Sequence, residues 1–292
     1  MTSPAVHPET PRVAVASGCT LGEGALWDHR SGTLLFVDIK GRAIWRYQPE
    51  TGHESKIEVA EPVGFVALTQ DPDIVVAGFK SGLVRVHLFG GETQPLANPE
   101  PDQPGNRIND GHVGPDGALY FGTMDDGGQN PTGRFWRWDG RTLDAFGGPF
   151  VVTNGPAISP DGRVLYATDT RAGTIYAYDL GKGVSGEPRR FLQFEEGWGH
   201  PDGMAVDAEG HLWVCHWGGS RMSRFAPDGT LERIVPIPTA QVTKCAFGGP
   251  DLTTLYVTTA AIGRDPTIDV MAGHVFTVQA GVAGLPAQIL AS

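Results

Sequence analysis

Four polar residues stand in similar places in the sequence, each at the start of a short apolar stretch typical of a β-strand. They are Glu23 in LGEGALW, Asn109 in RINDGHV, Asn154 in TNGPAI and Asp202 in HPDGMAV. Carboxylate and amide oxygens are the ligands that Ca²⁺, Mg²⁺ and Mn²⁺ prefer. Asp and Asn also favour turns, so turn formation alone explains any one of these positions.

The four residues recur because the sequence repeats a plan six times. The units begin 41 to 48 residues apart, at Glu23, Gly64, Asn109, Asn154, Asp202 and Lys244. Each unit holds three short strands separated by glycine-rich turns, and a more variable stretch that serves as a fourth strand. Four strands in about 40 to 50 residues are the pattern of a β-propeller blade. The sequence therefore predicts an all-β, six-bladed β-propeller; the alternative is a β-sandwich with accidental self-similarity.

We expect a single domain over residues 1–292, in which residues 1–11 form a loose leader rich in Pro, Thr and Ser. The early strand RVAVAS, residues 12–17, precedes the first unit and has no partner within it. We expect it to pair with the last unit, at residues 274–278 or 288–290. Pairing of the N-terminal strand with the C-terminal blade closes the ring and removes an open sheet edge.

In a propeller the first strand of each blade lines the central channel, so equivalent positions converge at one mouth of that channel. The distance to the glycine of the next turn is eight residues for Asn109, Asn154 and Asp202, and nine for Glu23. The four side chains therefore share one structural position. Two carboxylates this close are costly unless a cation lies between them. This register favours one divalent metal on the axis.

Composition excludes several classes of partner and compartment. The net charge of −11 disfavours nucleic acid and anionic membranes as partners. Cys19, Cys215 and Cys245 have no CxxC spacing, which argues against a thiolate zinc site and for three reduced thiols. The sequence contains neither a signal peptide pattern nor an apolar run of about 18 residues. We therefore expect a cytoplasmic protein.

At these residues the chain resembles the SMP-30/gluconolactonase/regucalcin family, which are six-bladed propellers with one catalytic divalent metal. The matching stretches lie between residues 21 and 260 and are LGEGALWD, NRINDGHVGPDGALYFGTM, TNGPAISPDGRVLYATDT, PDGMAVDAEGHLWV and FGGPDLTTLYVTTA. The stretches FVDIKGRAIWRY and VTKCAFGGPDL look most like the bacterial sugar-lactonase branch, which includes xylonolactonases.

The resemblance implies a site at the mouth of the channel. It implies that Glu23, Asn154 and Asp202 bind the metal. It also implies that Arg107 and Asn109 bind substrate, with Asn109 near the metal. The identity of the ion stays open among Ca²⁺, Mg²⁺, Mn²⁺, Zn²⁺ and Fe²⁺, because one cage of oxygens admits several of them.

A further substrate contact in the family is an acidic residue after GTM. The loop MDDGGQN departs from the family pattern here, so that either Asp125 or Asp126 takes this role. We assign it to Asp126.

The resemblance implies hydrolysis of sugar acid lactones to aldonic acids, so the expected partner is a small-molecule sugar lactone. The metal would polarise the lactone carbonyl and Asp202 would act as general base. Arg107 and Asn109 would hold hydroxyls or the developing oxyanion. The alternatives are a broad esterase or phosphotriesterase-like hydrolase and a non-enzymatic metal-binding propeller. The sequence makes no prediction of the oligomeric state.

Other conspicuous side chains lie outside the repeated position. His112, His200 and His216 are expected near the channel mouth as structural groups or neighbours of the ligands. Trp198 and Trp217 are expected in loops, where each could face a sugar ring. Most of the other tryptophans fall on strand positions and are expected to pack between blades.

Overall fold

The structure of the protein, a computed structural model, describes residues 4–7, 10–182, 184 and 186–291. These residues form six β-sheets and one short 3-10 helix, Leu180–Lys182. Two strands precede the first repeat, β1 (Ala5–Val6) and β2 (Arg12–Val15). The sheets are arranged as a propeller, which confirms the predicted all-β, six-bladed fold.

The first three blades are antiparallel sheets of four consecutive strands each. Blade 1 comprises β3 (Gly22–Asp28), β4 (Thr33–Asp38), β5 (Ala43–Gln48) and β6 (His53–Glu58). Blade 2 comprises β7 (Val63–Leu68), β8 (Ile74–Phe79), β9 (Gly82–His87) and β10 (Thr93–Ala97). Blade 3 comprises β11 (Asn106–Val113), β12 (Leu119–Asp125), β13 (Gly133–Trp138) and β14 (Leu143–Phe150).

The next two blades repeat this plan, and the last has three strands of its own. Blade 4 comprises β15 (Thr153–Ile158), β16 (Val164–Asp169), β17 (Thr174–Asp179) and β18 (Arg189–Gln193). Blade 5 comprises β19 (His200–Val206), β20 (Leu212–Trp217), β21 (Arg221–Phe225) and β22 (Leu231–Pro236). Blade 6 comprises β23 (Val242–Gly248), β24 (Thr254–Thr259) and β25 (Val275–Gln279).

The N-terminal strand β2 completes blade 6 and closes the ring. It pairs antiparallel with β25, where Arg12 faces Thr277 and Val13 faces Phe276. The predicted closure is confirmed at the first of its two expected positions. At the second, the chain crosses toward blades 2 and 3, where the amide of Leu290 donates to the carbonyl of Leu68.

The expected leader, residues 1–11, is only partly described. Residues 1–3, 8 and 9 lie outside the described residues. Ala5 and Val6 pair in parallel with Arg233 and Ile234, so that β1 adds a short fifth strand to blade 5.

Neighbouring blades are held together by six apolar clusters, one at each seam of the ring among the described residues. At the closing seam, buried Val15 of β2 joins Trp27 of blade 1 and Tyr256 of blade 6. The rings of Trp27 and Tyr256 stack with centroids 5.4 Å apart. At the preceding seam, Trp213 meets Phe247 edge to face at 6.0 Å. Tryptophan packing between blades thus fixes the positions of the innermost strands.

Every innermost strand carries a register shift at the repeated position. The shifts lie at Glu23/Leu26, Val63/Val66, Ile108/Gly111, Asn154/Ala157, Pro201/Met204 and Val242/Lys244. Such β-bulges bend a strand and re-aim its side chains. Blade 2 has Gly64 here because a Cβ at that position would lie 2.1 Å from the carbonyl oxygen of Asn109. The repeated position therefore carries a side chain in five blades. In blade 2 the glycine lets β7 approach the backbone of β11.

Among the described residues, no helix is long and apolar enough to cross a membrane. All three cysteines are buried and free of disulfides.

The packing of the closing seam indicates that one of the two valines on β2 stabilises the fold more than the other. Val15 is 1% exposed, whereas Val13 on the same strand is 42% exposed. Val15→Asp places a carboxylate without a partner in the seam and is expected to lower the free energy of unfolding by about 3 kcal/mol or more. Val13→Asp is the matched control, with an expected loss of about 1 kcal/mol or less. Urea unfolding followed by tryptophan fluorescence measures both; equal losses would show that β2 does not hold the ring closed.

Candidate active site on the propeller axis

Three carboxylates converge on the axis, from Glu23 of blade 1, Asp110 of blade 3 and Asp202 of blade 5. All three are buried, and Asp202 is only 3% exposed. Glu23 and Asp202 were expected from the repeat, at the mouth of the channel. In the structure both side chains are buried, on the innermost strands β3 and β19.

Burial and mutual repulsion act on the protonation of these carboxylates. Burial, and then the neighbouring carboxylate of Asp110, raise the pKa of Glu23 to about 8. Burial, followed by Glu23 and Asp110, also raises the pKa of Asp202 well above its ordinary value. Each raised pKa means that the folded protein disfavours the charged form when no cation is present. The cluster therefore has a deficit of positive charge.

One cation, Lys244, is already built into the axis. It occupies the repeated position of blade 6, and its Nζ donates to Asp110 Oδ2 at 2.6 Å. Burial would lower the pKa of Lys244, but the carboxylates of Asp110 and Glu23 raise it above its ordinary value. The side chain is therefore a buried ammonium.

A chain of hydrogen bonds orients the two amides of the site. Thr170 donates its only hydroxyl proton to the carbonyl of Pro201 (2.9 Å), so its oxygen must accept from Asn154 Nδ2 (2.9 Å). Asn154 Oδ1 consequently faces away from Thr170 and accepts from Asn109 Nδ2 at 2.9 Å. Asn109 Nδ2 also donates to the carbonyl of Thr153 at 2.6 Å. Asn154 therefore presents an oxygen, the atom that a metal ligand requires.

Arg107 fixes Asn109 from the other side. Its Nη1 donates to Asn109 Oδ1 at 2.6 Å, and its Nε donates to Asp126 Oδ1 at 3.1 Å. Asp126 also accepts from Lys40 (2.9 Å) and Lys80 (3.1 Å). Burial of Asp126 would raise its pKa, but these two lysines and Arg107 lower it to about 2. Asp126 is thus a fixed anion that clamps Arg107 beside the cluster.

The two aspartates of the loop after β12 have different environments. Asp125 Oδ2 accepts from the backbone amides of Gln129 (2.9 Å) and Asn130 (3.1 Å), so that it shapes its own loop. Only Asp126 touches Arg107. The placement favours Asp126 as the acidic residue of the site, although its contact with substrate stays a prediction.

The donor set fits a hard divalent cation. The candidate ligands Glu23 and Asp202 have too little positive charge around them to ionise together, and the candidate ligand Asn154 adds an oriented amide oxygen. Oxygen ligands of this kind suit Ca²⁺, Mg²⁺ or Mn²⁺. The other acidic cluster among the described residues, Asp207, Glu209 and His211, is different. There Arg224 pairs with both Asp207 and Glu209, so that a cation is already supplied by the protein.

Sequence reasoning missed three members of the site: Asp110, the ammonium role of Lys244 and Thr170. Asp110 directly follows Asn109 in the stretch NDG, and the bulge of β11 turns both side chains toward other blades. The partner of Asp110 lies 134 residues away. Two adjacent polar residues at a repeated bulge were the available signal.

The histidines and loop tryptophans have mainly packing roles. His216 is fully buried, contacts the carbonyl of Trp198 through Nδ1 at 2.8 Å and packs on Phe194. Burial lowers the pKa of His216 to about 3. His200 is exposed, with Nδ1 3.3 Å from the carbonyl of Thr170. Trp198 and Trp217 are both half-buried, and Trp217 ends β20 instead of lying in a loop.

Below the cluster the channel becomes apolar. A cavity of about 140 Å³ lies there, and residues 285–288 are part of its lining together with Trp27, Phe65 and Met204. His112 is half-buried in this wall, and its pKa falls to about 4 because of burial and then Lys244. His112 is therefore neutral at pH 7 and lies beside Asp110 and Lys244 in the lining.

Comparison with known proteins shows the family of this chain. The family model described as "SMP-30/Gluconolactonase/LRE-like region" matches residues 21–261. An L-arabinolactonase of Azospirillum brasilense is 35% identical over 289 residues, covering 96% of this chain and 95% of the relative. A pentonolactonase of Haloferax volcanii is 35% identical over 284 residues, covering 93% of this chain and 95% of the relative.

A solved structure shares the architecture. The crystal structure of a calcium-binding protein, regucalcin, from Agrobacterium tumefaciens superposes with a TM-score of 0.94 at 27% identity. The superposition covers 99% of this chain and 100% of that one. With the family model matching most of its length, this chain belongs to the SMP-30/gluconolactonase/LRE-like family.

Proposed function

We propose that the protein is a metal-dependent lactonase that hydrolyses sugar acid lactones to aldonic acids. The observation that carries the proposal is the buried, electron-rich cluster of Glu23, Asn154 and Asp202 directly beside the Arg107–Asn109 pair. A scaffold has no need for uncompensated buried carboxylates next to a clamped guanidinium. Relatives that are named L-arabinolactonase and pentonolactonase support a lactone as the substrate.

Glu23, Asn154 and Asp202 would hold the divalent cation. When bound, the ion would supply Lewis acidity toward the lactone carbonyl. Its identity is open among Ca²⁺, Mg²⁺, Mn²⁺, Zn²⁺ and Fe²⁺; the regucalcin neighbour that is described as calcium-binding favours Ca²⁺.

The remaining roles belong to the side chains of this chain. Asp202 takes a proton from the attacking water at a carboxylate oxygen, while the water oxygen adds to the carbonyl carbon. Asp202 then returns this proton to the ring oxygen as the bond between the carbonyl carbon and that oxygen breaks, which leaves a hydroxyl on the aldonic acid. Arg107 keeps Nη2 free of partners among the described residues, so that it can donate to substrate while Nε and Nη1 hold Asp126 and Asn109.

The proposal extends to the domain, the compartment and the partners of the protein. We propose a single domain that acts in the cytoplasm on a small-molecule lactone, with neither nucleic acid nor a membrane as partner. Three buried free cysteines suit a reducing compartment. The net charge of −11 disfavours polyanionic partners.

The proposed activity is tested with a panel of lactones on metal-stripped protein to which single metals are restored. Arabinono-, xylono-, galactono- and gluconolactone are followed by acid release, beside a simple ester and a phosphotriester. We expect hydrolysis of aldonolactones only after metal is added. Asp202→Asn should lower kcat by about 100-fold or more, because it removes the general base.

Asp228→Asn is the matched control, since Asp228 is an exposed turn residue of the same blade. It should leave turnover unchanged. Turnover of the ester or phosphotriester without any lactone would favour the broader hydrolase. Bound metal without any turnover would favour a non-enzymatic propeller.

The raised pKa of Glu23 predicts how pH affects the metal-free protein. An unfolded Glu loses its proton near pH 4.5, whereas folded Glu23 keeps it to about pH 8. The folded state therefore binds more protons than the unfolded state over this window. The contribution of protonated Glu23 to the free energy of unfolding is complete below about pH 4.5 and is lost as pH rises toward 8. Bound metal needs ionised ligands, so the gain in unfolding midpoint from Ca²⁺ should grow over the same window.

Urea unfolding at pH 5, 6, 7 and 8, with EDTA or with saturating Ca²⁺, measures both effects. Glu23→Gln is the control, because an amide cannot titrate, and it should flatten the metal-free pH dependence. Stability that rises with pH in the metal-free wild type, relative to Glu23→Gln, would contradict the prediction.

Replacement of Arg107 by Lys is expected to impair turnover of some lactones more than others. A Lys at this position has one ammonium and cannot reach Asn109, Asp126 and a substrate hydroxyl with separate fixed donors. Arg107→Lys should therefore lower kcat/KM about tenfold or more for aldonolactones and less for a simple lactone without hydroxyls, and it should weaken turnover far more than metal binding. Equal losses on both substrates would place Arg107 at the carbonyl or in the fold, and no loss would remove it from the site.

A further inference from the structure

The repeated position carries a cation in blade 6, whereas in blades 1, 3, 4 and 5 it carries a carboxylate or an amide. Lys244 lies at the repeated position of blade 6, and the bulge of β23 ends at this residue. Its side chain is 7% exposed, and its Nζ reaches across the channel to Asp110 of blade 3. A buried ammonium is costly, so its partner and its neighbours determine its role.

Both oxygens of Asp110 are engaged by protein donors. Oδ2 accepts from Lys244 Nζ at 2.6 Å, and Oδ1 accepts from the amide of Gly111 at 2.8 Å. Asp110 is as deeply buried as Asp202 and close enough to repel it. A third carboxylate thus stands beside the ligand pair but is turned toward Lys244.

The charges of the cluster follow from this pairing. Lys244 is the ion-pair partner of Asp110, which leaves Glu23 and Asp202 as the carboxylates of the cluster without a paired ammonium among the described residues. The nearby guanidinium of Arg107 pairs with Asp126, which Lys40 and Lys80 also contact. Glu23 and Asp202 are therefore the two carboxylates of the cluster that need a further cation if both are to ionise.

We propose that Lys244 determines the charge and ligand set of the metal site by holding Asp110 out of it. The inference rests on the proposed metal site. If Lys244 loses its charge, Asp110 becomes a third uncompensated carboxylate, and the site should bind cations more tightly and prefer a higher cation charge. If Asp110 loses its charge, the Lys244 ammonium is left facing the site and should repel the metal.

Three variants test the inference: Lys244→Gln, Asp110→Asn and the double variant. Gln and Asn keep hydrogen-bonding groups in the channel, and the double variant has the same net charge as the wild type. Calorimetry measures the Kd of Ca²⁺, and luminescence measures that of Tb³⁺, which has a similar size and one more charge. The ratio of the two Kd values reports the charge of the site independently of turnover.

Lys244→Gln removes one positive charge from a poorly solvated site, so it should tighten Ca²⁺ binding about tenfold or more. It should tighten Tb³⁺ binding by a further factor of similar size, which the ratio of the two Kd values reports. Asp110→Asn should weaken Ca²⁺ binding about tenfold or more. The double variant should return to within about threefold of the wild type, since charges rather than side-chain identity set the affinity.

Weaker Ca²⁺ binding in both single variants, or an unchanged Kd ratio in Lys244→Gln, would overturn the inference and assign the pair to the fold alone. The double variant keeps the test decisive if one single variant does not fold, because loss of Ca²⁺ affinity in a folded, charge-matched protein also contradicts it. Failure of the wild type to bind Ca²⁺ or Tb³⁺ would instead count against the proposed metal site.

Discussion

The burial of like charges on the propeller axis is the constraint on which the rest of this structure depends. Glu23, Asp110 and Asp202 are brought together where water cannot screen them, and their raised pKa values record the cost. Lys244 offsets one of the three charges. The folded protein thus has buried carboxylates with too little positive charge around them, and a bound divalent cation would stabilise it. The same carboxylates would serve the proposed activity, so stability and activity depend on one site.

The propeller can maintain such a cluster because its ligands come from separate, rigid sheets. Apolar seams between blades hold each innermost strand, and Trp27 on Tyr256 and Trp213 on Phe247 fix the blades next to the ligands. The repeated bulges aim the side chains inward. Hydrogen bonds from Arg107 through Asn109 and Asn154 to Thr170 then set the direction of each amide. No single blade could bring these groups together.

The repeat made much of the site predictable. Equal spacing to the following turn placed Glu23, Asn109, Asn154 and Asp202 in one position, and the orphan strand at residues 12–17 indicated closure with blade 6. The depth of the site was not predictable, because burial depends on how closely six blades pack. Asp110 and Lys244 were also missed, since their pairing joins blades 3 and 6 and leaves no periodic signal. The lysines around Asp126 come from turns of two other blades, which repeat spacing does not relate to it.

The central claim is that one divalent cation is bound on the axis by Glu23, Asn154 and Asp202. Anomalous diffraction from crystals soaked in Mn²⁺ tests it most directly, because the signal locates the ion without reference to activity. We predict one strong peak inside the ring, within about 2.0 to 2.6 Å of oxygen atoms of these three side chains. A Mn²⁺-soaked crystal with no peak on the axis, or with its strongest peak at Asp207, Glu209 and His211, would contradict the account.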